Sequence, residues 1–507
     1  MTKYLLAHDI GTTGDKVTLF SDDGQLIKSL TVAYDTHYER GGVVEQNPDD
    51  WWKAVCEATS AMANMVDKKS IAAICLSGHM MGCLCLDKNL KPLRDSIIWA
   101  DTRSQKQADE IAEKVDLADF YKLTGHRLSP SHTLTKFMWV KEHQPEIYKN
   151  TYKTVHTKDY IAYKLTGVLA TDYSDASGTL AYDTLNKCWA EKLIETAGLD
   201  VEKFPEIKDG TAVLGTVTSE ASKECGLLEG TPVVLGGGDG QMAAVGAGAV
   251  VPGASYSCLG TSAWDMACTT APVADPTQRI VTWAHVIPEY YVPTGTMQAF
   301  GASIAWMRDN RCYEEAALAK ETGVSKYDYI NANAAKSPVG ANGLLFLPYM
   351  QGERSPHWNA QAKGVFIGLT MKHTVHDMKR AVMEGVAMNM ALIHNIFLDN
   401  GVHFNEPMMM VGGGVNSPLV MQTMADLYGI DLCRTNLVDD GGAIGGAILG
   451  GHAVGLFDSL EVQDRFAKVT KVVSPIAENV KKYKEILPVF EESYKALVGI
   501  FPKLDQF

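Results

Sequence analysis

Two aspartates stand where a carboxylate could do more than complete a turn. Asp9 interrupts the apolar stretch YLLAHDI just ahead of Gly11, Thr12 and Thr13, and Asp239 follows three glycines in VVLGGGDGQMAAVG. A glycine-rich turn between strands aims several backbone N–H groups at one point, and threonine hydroxyls add donors. Gly11, Thr12 and Thr13, with Lys16 as countercharge, therefore form a candidate phosphate cradle. Gly260, Thr261 and Ser262 in SCLGTSAW form a second, for which a plain hairpin turn is the alternative. Two cradles suit a polyphosphate. A polyphosphate brings a divalent cation, held through one or two carboxylates and waters, and Asp9 is placed for that role or for that of an ordinary turn acid. Asp239 opens a helix, where it could serve as an N-cap or as the general base that takes a hydroxyl proton during phosphoryl transfer. The two roles are compatible.

Such residues need strands and helices to hold them. Residues 4–10, 16–21 and 26–34 are predicted as three strands of an antiparallel meander, with turns at Gly11–Gly14 and at SDDG. A helix is predicted over NPDDWWKAVCEATSAMANMV, with Asn47 as cap, Pro48 in the first turn, and Asp49 and Asp50 at the positive end of the helix dipole. The apolar strand IAAICLSG follows and the alternation continues, which makes the fold class α/β. Near the end of the chain, KKYKEILPVFEESYKALVGIF reads as a helical region interrupted at Pro488.

Two internal echoes recur in the same order. SYSCLGTSAWDMAC at 255–268 repeats the opening pattern of strand, glycine-threonine turn, strand. The triple-glycine segment at 233–248 pairs with MMMVGGGVNSPLVMQTMADLYG at 408–429. Shared order favours duplication of one βα design, with domains at 1–248 and 249–507 facing each other across a cleft. Superposing the copies sets Asp9 opposite Cys258 and Asp239 opposite Val415, so both acids are expected in the first half only.

Bulk properties narrow the field. The 507 residues are 46% hydrophobic and 21% charged, typical of a globular protein of two or more domains, and no apolar run reaches the roughly 20 residues of a membrane span. A formal charge of −14 disfavours nucleic acid and anionic membranes as partners. The opening MTKYLLAHDI lacks the pattern of a secretory signal, which points to the cytoplasm, and the 10 cysteines lack metal or disulfide spacing.

Taken together, the motifs resemble those of the FGGY carbohydrate kinases, nearly end to end, and most resemble the xylulokinase branch. DIGTTGDK at 9–16, SHTLTKFMWVKEH at 131–143 and GVFIGLTMKHTVHDMKRAVME at 364–384 carry the likeness, together with IIWADTR, SDASGT, GGGDG, LGTS and FLPYMQGERSPHWN. The resemblance implies two actin-like, ribonuclease H-like domains flanking a deep cleft, and a homodimer. It implies ATP with Mg²⁺, Asp239 as catalytic base and Asp9 organising the metal through water. Thr12–Thr13 and Gly260–Thr261 would hold phosphates, while Gly412, Gly413, Gly414 and Asn416 would hold the adenosine.

One departure concerns the acceptor. The branch carries Gly-Gln-Met-His-Gly in the loop that touches the sugar, whereas this chain reads GHMMG at 78–82, placing His79, Met80 and Met81 there. Met81 offers no ordinary donor to a sugar hydroxyl. The expected activity is ATP-dependent phosphorylation of a ketopentose such as D-xylulose. Another ketose, gluconate or a short polyol such as erythritol is the alternative. A nucleotide-dependent interaction protein on the same fold is the reading from another class.

Overall fold

The computed structural model describes residues 2–437 and 440–506. The chain forms two compact units. The first comprises Met1–Pro252, Cys268–Pro293 and Asp440–Ala467; the second comprises Gly253–Ala267, Thr294–Asp439 and Lys468–Phe507. The sequence reading has one boundary, between 248 and 249; by contacts the chain passes between the units several times. The helix Gly441–Ala453 explains the last return, because it packs on the central strands of the first unit.

In the first unit, β1 (Tyr4–Ile10), β2 (Gly14–Ser21) and β3 (Leu26–Ala33) form the expected meander. With β4 (Ile71–Gly78), β5 (Val213–Thr216) and β6 (Pro232–Gly238) they make a sheet of order β5-β6-β4-β1-β2-β3. β1 runs parallel to β4, and β4 to β6. The register pairs Ile10 with Gly78 and Gly78 with Gly238. Asp9, the GHMMG loop and Asp239 therefore leave the sheet at one edge, the carboxyl ends of parallel strands, where α/β sheets bind ligands.

Helix Pro48–Ala63 covers the meander. Asn47 Oδ1 accepts from Asp49 N at 2.9 Å, and Trp51, Val55, Ala58 and Met62 recur on one face and are buried in the core. The tryptophans are packing residues, each worth about 2–3 kcal/mol of buried apolar surface.

The second unit repeats the plan. β7 (Ser255–Leu259) and β8 (Ala263–Ala267) form the echoed hairpin. They join β9 (Tyr291–Met297), β10 (Met408–Val411), β11 (Leu432–Thr435) and β12 (Val469–Val473) in the order β9-β8-β7-β10-β11-β12. Strand by strand, this matches β3-β2-β1-β4-β6-β5, with the same parallel and antiparallel pairings. Cys258 thus stands opposite Asp9 as expected. The triple-glycine superposition is corrected: β10 is the counterpart of β4, not of β6. The counterpart of β6 is β11, which leads to Asp440 at the start of helix Gly441–Ala453, as β6 leads to Asp239 at the start of helix Asp239–Gly246. An acid therefore stands at the start of the corresponding helix in both copies, as the first helical residue Asp239 in one and as the N-cap Asp440 in the other.

These two helices cross at backbone contact within the first unit. A side chain at Gly246 would overlap the carbonyl of Gly441, and one at Gly445 would overlap the carbonyl of Met242.

Two further findings bear on the sequence reading. Helix Val375–Asp399 is long and apolar enough to cross a membrane by composition, but 83% of its most apolar window is buried within the protein. Helix Ala477–Leu497 runs through Pro488 without a break, a correction to the expected interruption. Tyr483 before the proline and Phe490 and Tyr494 after it are all buried, and that anchoring on both sides outweighs the missing backbone hydrogen bond. The ten cysteines are free thiols.

Candidate active site

Asp9 is the penultimate residue of β1. Its Oδ1 accepts from Ser77 Oγ at 3.0 Å, on the neighbouring strand. Its Oδ2 lies beside Gly442, where a Cβ would come within 3.4 Å. Burial raises the pKa of Asp9, and Asp15 adds to the rise, against the opposing effects of the Ser77 hydrogen bond and the Lys16 charge. A carboxylate so placed gains from a cation.

The turn after β1 is braced from outside. Gly11 N donates to Gly14 O at 3.0 Å. The Thr12 carbonyl accepts from Thr36 Oγ1 at 2.9 Å and from Gln46 Nε2 at 2.7 Å, and Trp99 Nε1 donates to Thr12 Oγ1 at 2.9 Å. Thr13 is exposed at the tip. Lys16, read from sequence as a countercharge for phosphate, pairs with Asp440 Oδ1 at 2.7 Å.

Asp239 is the first residue of its helix. Gly240 N donates to its Oδ1 at 2.8 Å, and the side chain reaches solvent. The protein around it still removes enough water to push its pKa up to about 7, with the charge on Asp9 acting in the same direction. That is the range in which a carboxylate can take a proton from an alcohol near neutral pH.

The GHMMG loop divides by residue. His79 is buried. Its Nε2 lies 3.1 Å from Gln46 Oε1 and 3.0 Å from Thr157 Oγ1, and burial pushes its pKa down to about 3, so the ring is neutral. Gln46 thereby links His79 to the Thr12 turn. Met80 is also buried and lies against Gly238, where a Cβ would come within 2.6 Å of its Cγ. Met81 has φ +63° and is partly exposed. Its carbonyl accepts from Lys136 Nζ at 2.9 Å, and the same ammonium donates to Ile98 O at 2.7 Å and Ser131 O at 2.5 Å. One buried lysine thus ties together three loops.

In the second unit the glycines allow backbone to meet backbone. Gly301 N and Ala302 N donate to the carbonyls of Gly260 and Thr261 at 3.0 and 3.1 Å. Gly412, with φ +85°, and Gly414 press on Leu259, while Gly413 faces open space with nothing within 4 Å of a Cβ. Asn416 Oδ1 accepts from Arg434 at 2.9 Å.

Comparison with known proteins supplies the family. Residues 4–246 match the N-terminal domain of the FGGY family of carbohydrate kinases, and residues 255–454 match its C-terminal domain. The chain belongs to the FGGY family of carbohydrate kinases. It is a phosphotransferase with an alcohol group as acceptor. Over 495 residues it is 30% identical to the xylulose kinase of Bacillus subtilis strain 168, covering 97% of both chains. Over 510 residues it is 31% identical to the gluconokinase of Bacillus licheniformis, covering 100% of this chain and 98% of that one. Among solved structures it resembles the gluconate kinase from Lactobacillus acidophilus, with TM-score 0.91 and 26% identity over 99% of this chain and 100% of the other. The ligand-bound xylulose kinase from the same organism gives TM-score 0.90 at 26% identity, with the same coverage.

Sequence reasoning missed Ser77, Gln46, Trp99 and Lys136, which hydrogen-bond to the candidate residues Asp9, Thr12 and Met81. Trp99 and Lys136 fall inside IIWADTR and SHTLTKFMWVKEH, two of the stretches that carry the family likeness, so the signal was present without a residue-level reason.

Proposed function

We propose that this kinase transfers the γ-phosphoryl group of ATP to a primary hydroxyl of an open-chain sugar, with a ketopentose such as D-xylulose as first candidate and gluconate as second. The observation that supports the reading best is Asp239, solvent-accessible at a strand end, with its pKa raised to about 7 by burial and, after it, by the charge on Asp9. Asp239 takes the hydroxyl proton, and the resulting alkoxide oxygen attacks the γ-phosphorus in line with the departing ADP oxygen.

The remaining roles follow from the placements described. Asp9, buried at the end of its strand, would hold Mg²⁺ through water; when bound, the ion would neutralise charge building on the phosphate oxygens. The turn Gly11–Thr13 and the turn Gly260–Thr261 bind phosphates, and Gly412–Asn416 binds the adenosine, where the bare Cα of Gly413 leaves room for a base. Met81, partly exposed, faces the acceptor, whereas buried His79 acts through Gln46 on the Thr12 turn.

The test is ADP release with ATP and Mg²⁺ across D-xylulose, D-ribulose, gluconate and erythritol, for the wild type and Asp239→Asn. Turnover with at least one acceptor, lost in Asp239→Asn while ATP still binds, is the expected result. Full turnover in that variant would remove Asp239 as base.

A further inference from the structure

The motif SDASGT at 174–179 has no role in the mechanism above, yet its first serine touches the turn that carries the base. Gly238, the residue before Asp239, donates its backbone N–H to Ser174 Oγ at 2.9 Å. Ser174 donates its single hydroxyl hydrogen to Asp172 Oδ2 at 2.5 Å, so its lone pairs are free to accept from Gly238. Asp172 also accepts from Ser174 N at 2.7 Å, and its other oxygen lies 3.1 Å from Lys158 Nζ.

Lys158 is at the centre of a buried charge cluster. Its ammonium lies 2.9 Å from Asp159 Oδ1 and 3.2 Å from Asp175 Oδ2, and all four side chains are fully enclosed. Burial, opposed by Lys158 and reinforced by Asp172 and Asp159, holds the Asp175 carboxyl well above the usual range, and burial keeps His156 neutral. His156, Asp159 and Asp175 have the spacing of a metal site, but the Lys158 ammonium already lies within 3.2 Å of an oxygen of each of the two carboxyls.

The cluster reaches both strand ends. A Cβ on Gly237 would lie 2.7 Å from Ser174 Oγ, and one on Gly78, where β4 enters the GHMMG loop, would lie 3.3 Å from Lys158 Cβ. A buried ion cluster is a weak source of net stability, since desolvation offsets most of its attraction. It is a strong source of fixed geometry, because each partner's position is set by the next.

We propose that Ser174, oriented by Asp172 and Lys158, is a positioning residue that fixes the Gly238–Asp239 peptide and so aims the base at the acceptor hydroxyl. The inference rests on Asp239 being the base. A displacement of about 1 Å in a catalytic group can cost about a hundredfold in rate. Removing the hydroxyl therefore acts on turnover rather than on ATP binding.

The experiment compares wild type, Ser174→Ala, Ser174→Thr and Asp172→Asn with the acceptor that the panel identifies, measuring kcat, KM for ATP and melting temperature, with Asp239→Asn alongside. The expected result is a ten- to hundredfold lower kcat in Ser174→Ala with KM for ATP within twofold of wild type, and recovery of most of the loss in Ser174→Thr. Asp172→Asn, which keeps the shape but loses the charge that orients the serine, should fall between them. Wild-type kcat in Ser174→Ala overturns the proposal, and so does a loss that Ser174→Thr fails to recover while its melting temperature is unchanged. If Asp239→Asn itself turns over normally, the assignment of the base has failed instead, whatever Ser174 does.

Discussion

Asp9 and Asp239 are 230 residues apart in sequence, yet the charge on Asp9 raises the proton affinity of Asp239, because β1 and β6 flank β4 and all three end at one sheet edge. Burial is the larger cause of the shift, and one acid adds to the rise of the other.

Asp239 must be ionised to accept a proton. With its pKa near 7, kcat/KM for the acceptor should fall about tenfold for each pH unit below that value and level off above it. A pH–rate profile flat from pH 5 to 8 would rule out Asp239 as the titrating base.

The same shift has a stability side. In the unfolded chain Asp239 ionises near about 3.9, so between roughly pH 4 and 7 the folded state holds a proton that the unfolded state has lost, and stability falls across that window. Asp239→Asn removes the burden. Its melting temperature should exceed that of wild type at pH 8 and match it at pH 4; equal melting points at both values would contradict the raised affinity.

Lys136 donates to three carbonyls from three loops, so Lys136→Met leaves those acceptors unserved in the interior, at about 1–3 kcal/mol each. The variant should lose at least several degrees of melting temperature, and KM for the acceptor should rise by more than KM for ATP. Equal effects on both substrates would separate Lys136 from acceptor recognition.

Met81→His introduces a hydrogen-bonding side chain at the loop position proposed to face the acceptor. One new contact to a sugar hydroxyl is worth about 0.5–1.5 kcal/mol, a gain of up to about tenfold in kcat/KM for the acceptor it suits. The ratio of D-xylulose to gluconate activity is the readout, and an unchanged ratio would place Met81 away from the acceptor.

Gly413 has open space where a Cβ would go. Gly413→Ala should leave the melting temperature unchanged while raising KM for ATP severalfold, because the methyl group enters the volume assigned to the adenosine. Unaltered ATP affinity would move the nucleotide elsewhere.

Much of this was legible along the chain. The meander, the Asn47 cap and the Asp9 turn are local features, written by strand alternation, capping chemistry and turn residues. Lys136, Ser174 and Lys158 were not legible as working parts, because a buried cation or hydroxyl has meaning only through partners brought from distant segments. The equivalence of Asp239 with Asp440 was hidden for a related reason. Glycine triplets look alike in sequence, but strand order decides which are counterparts, and Asp440 spends its charge on Lys16 where Asp239 remains open to solvent. Pro488 was misread because a local rule met anchoring aromatics on either side.

The glycine-lined crossing of helices Asp239–Gly246 and Gly441–Ala453 limits how this enzyme can change. With main chain seated directly on main chain at Gly246 and Gly445, little side-chain volume is left there to be trimmed or repacked, so the helix that begins at Asp239 has a fixed height above its neighbour. Attempts to retarget the enzyme to longer or shorter acceptors would therefore do better to leave that joint alone and vary the surrounding loops.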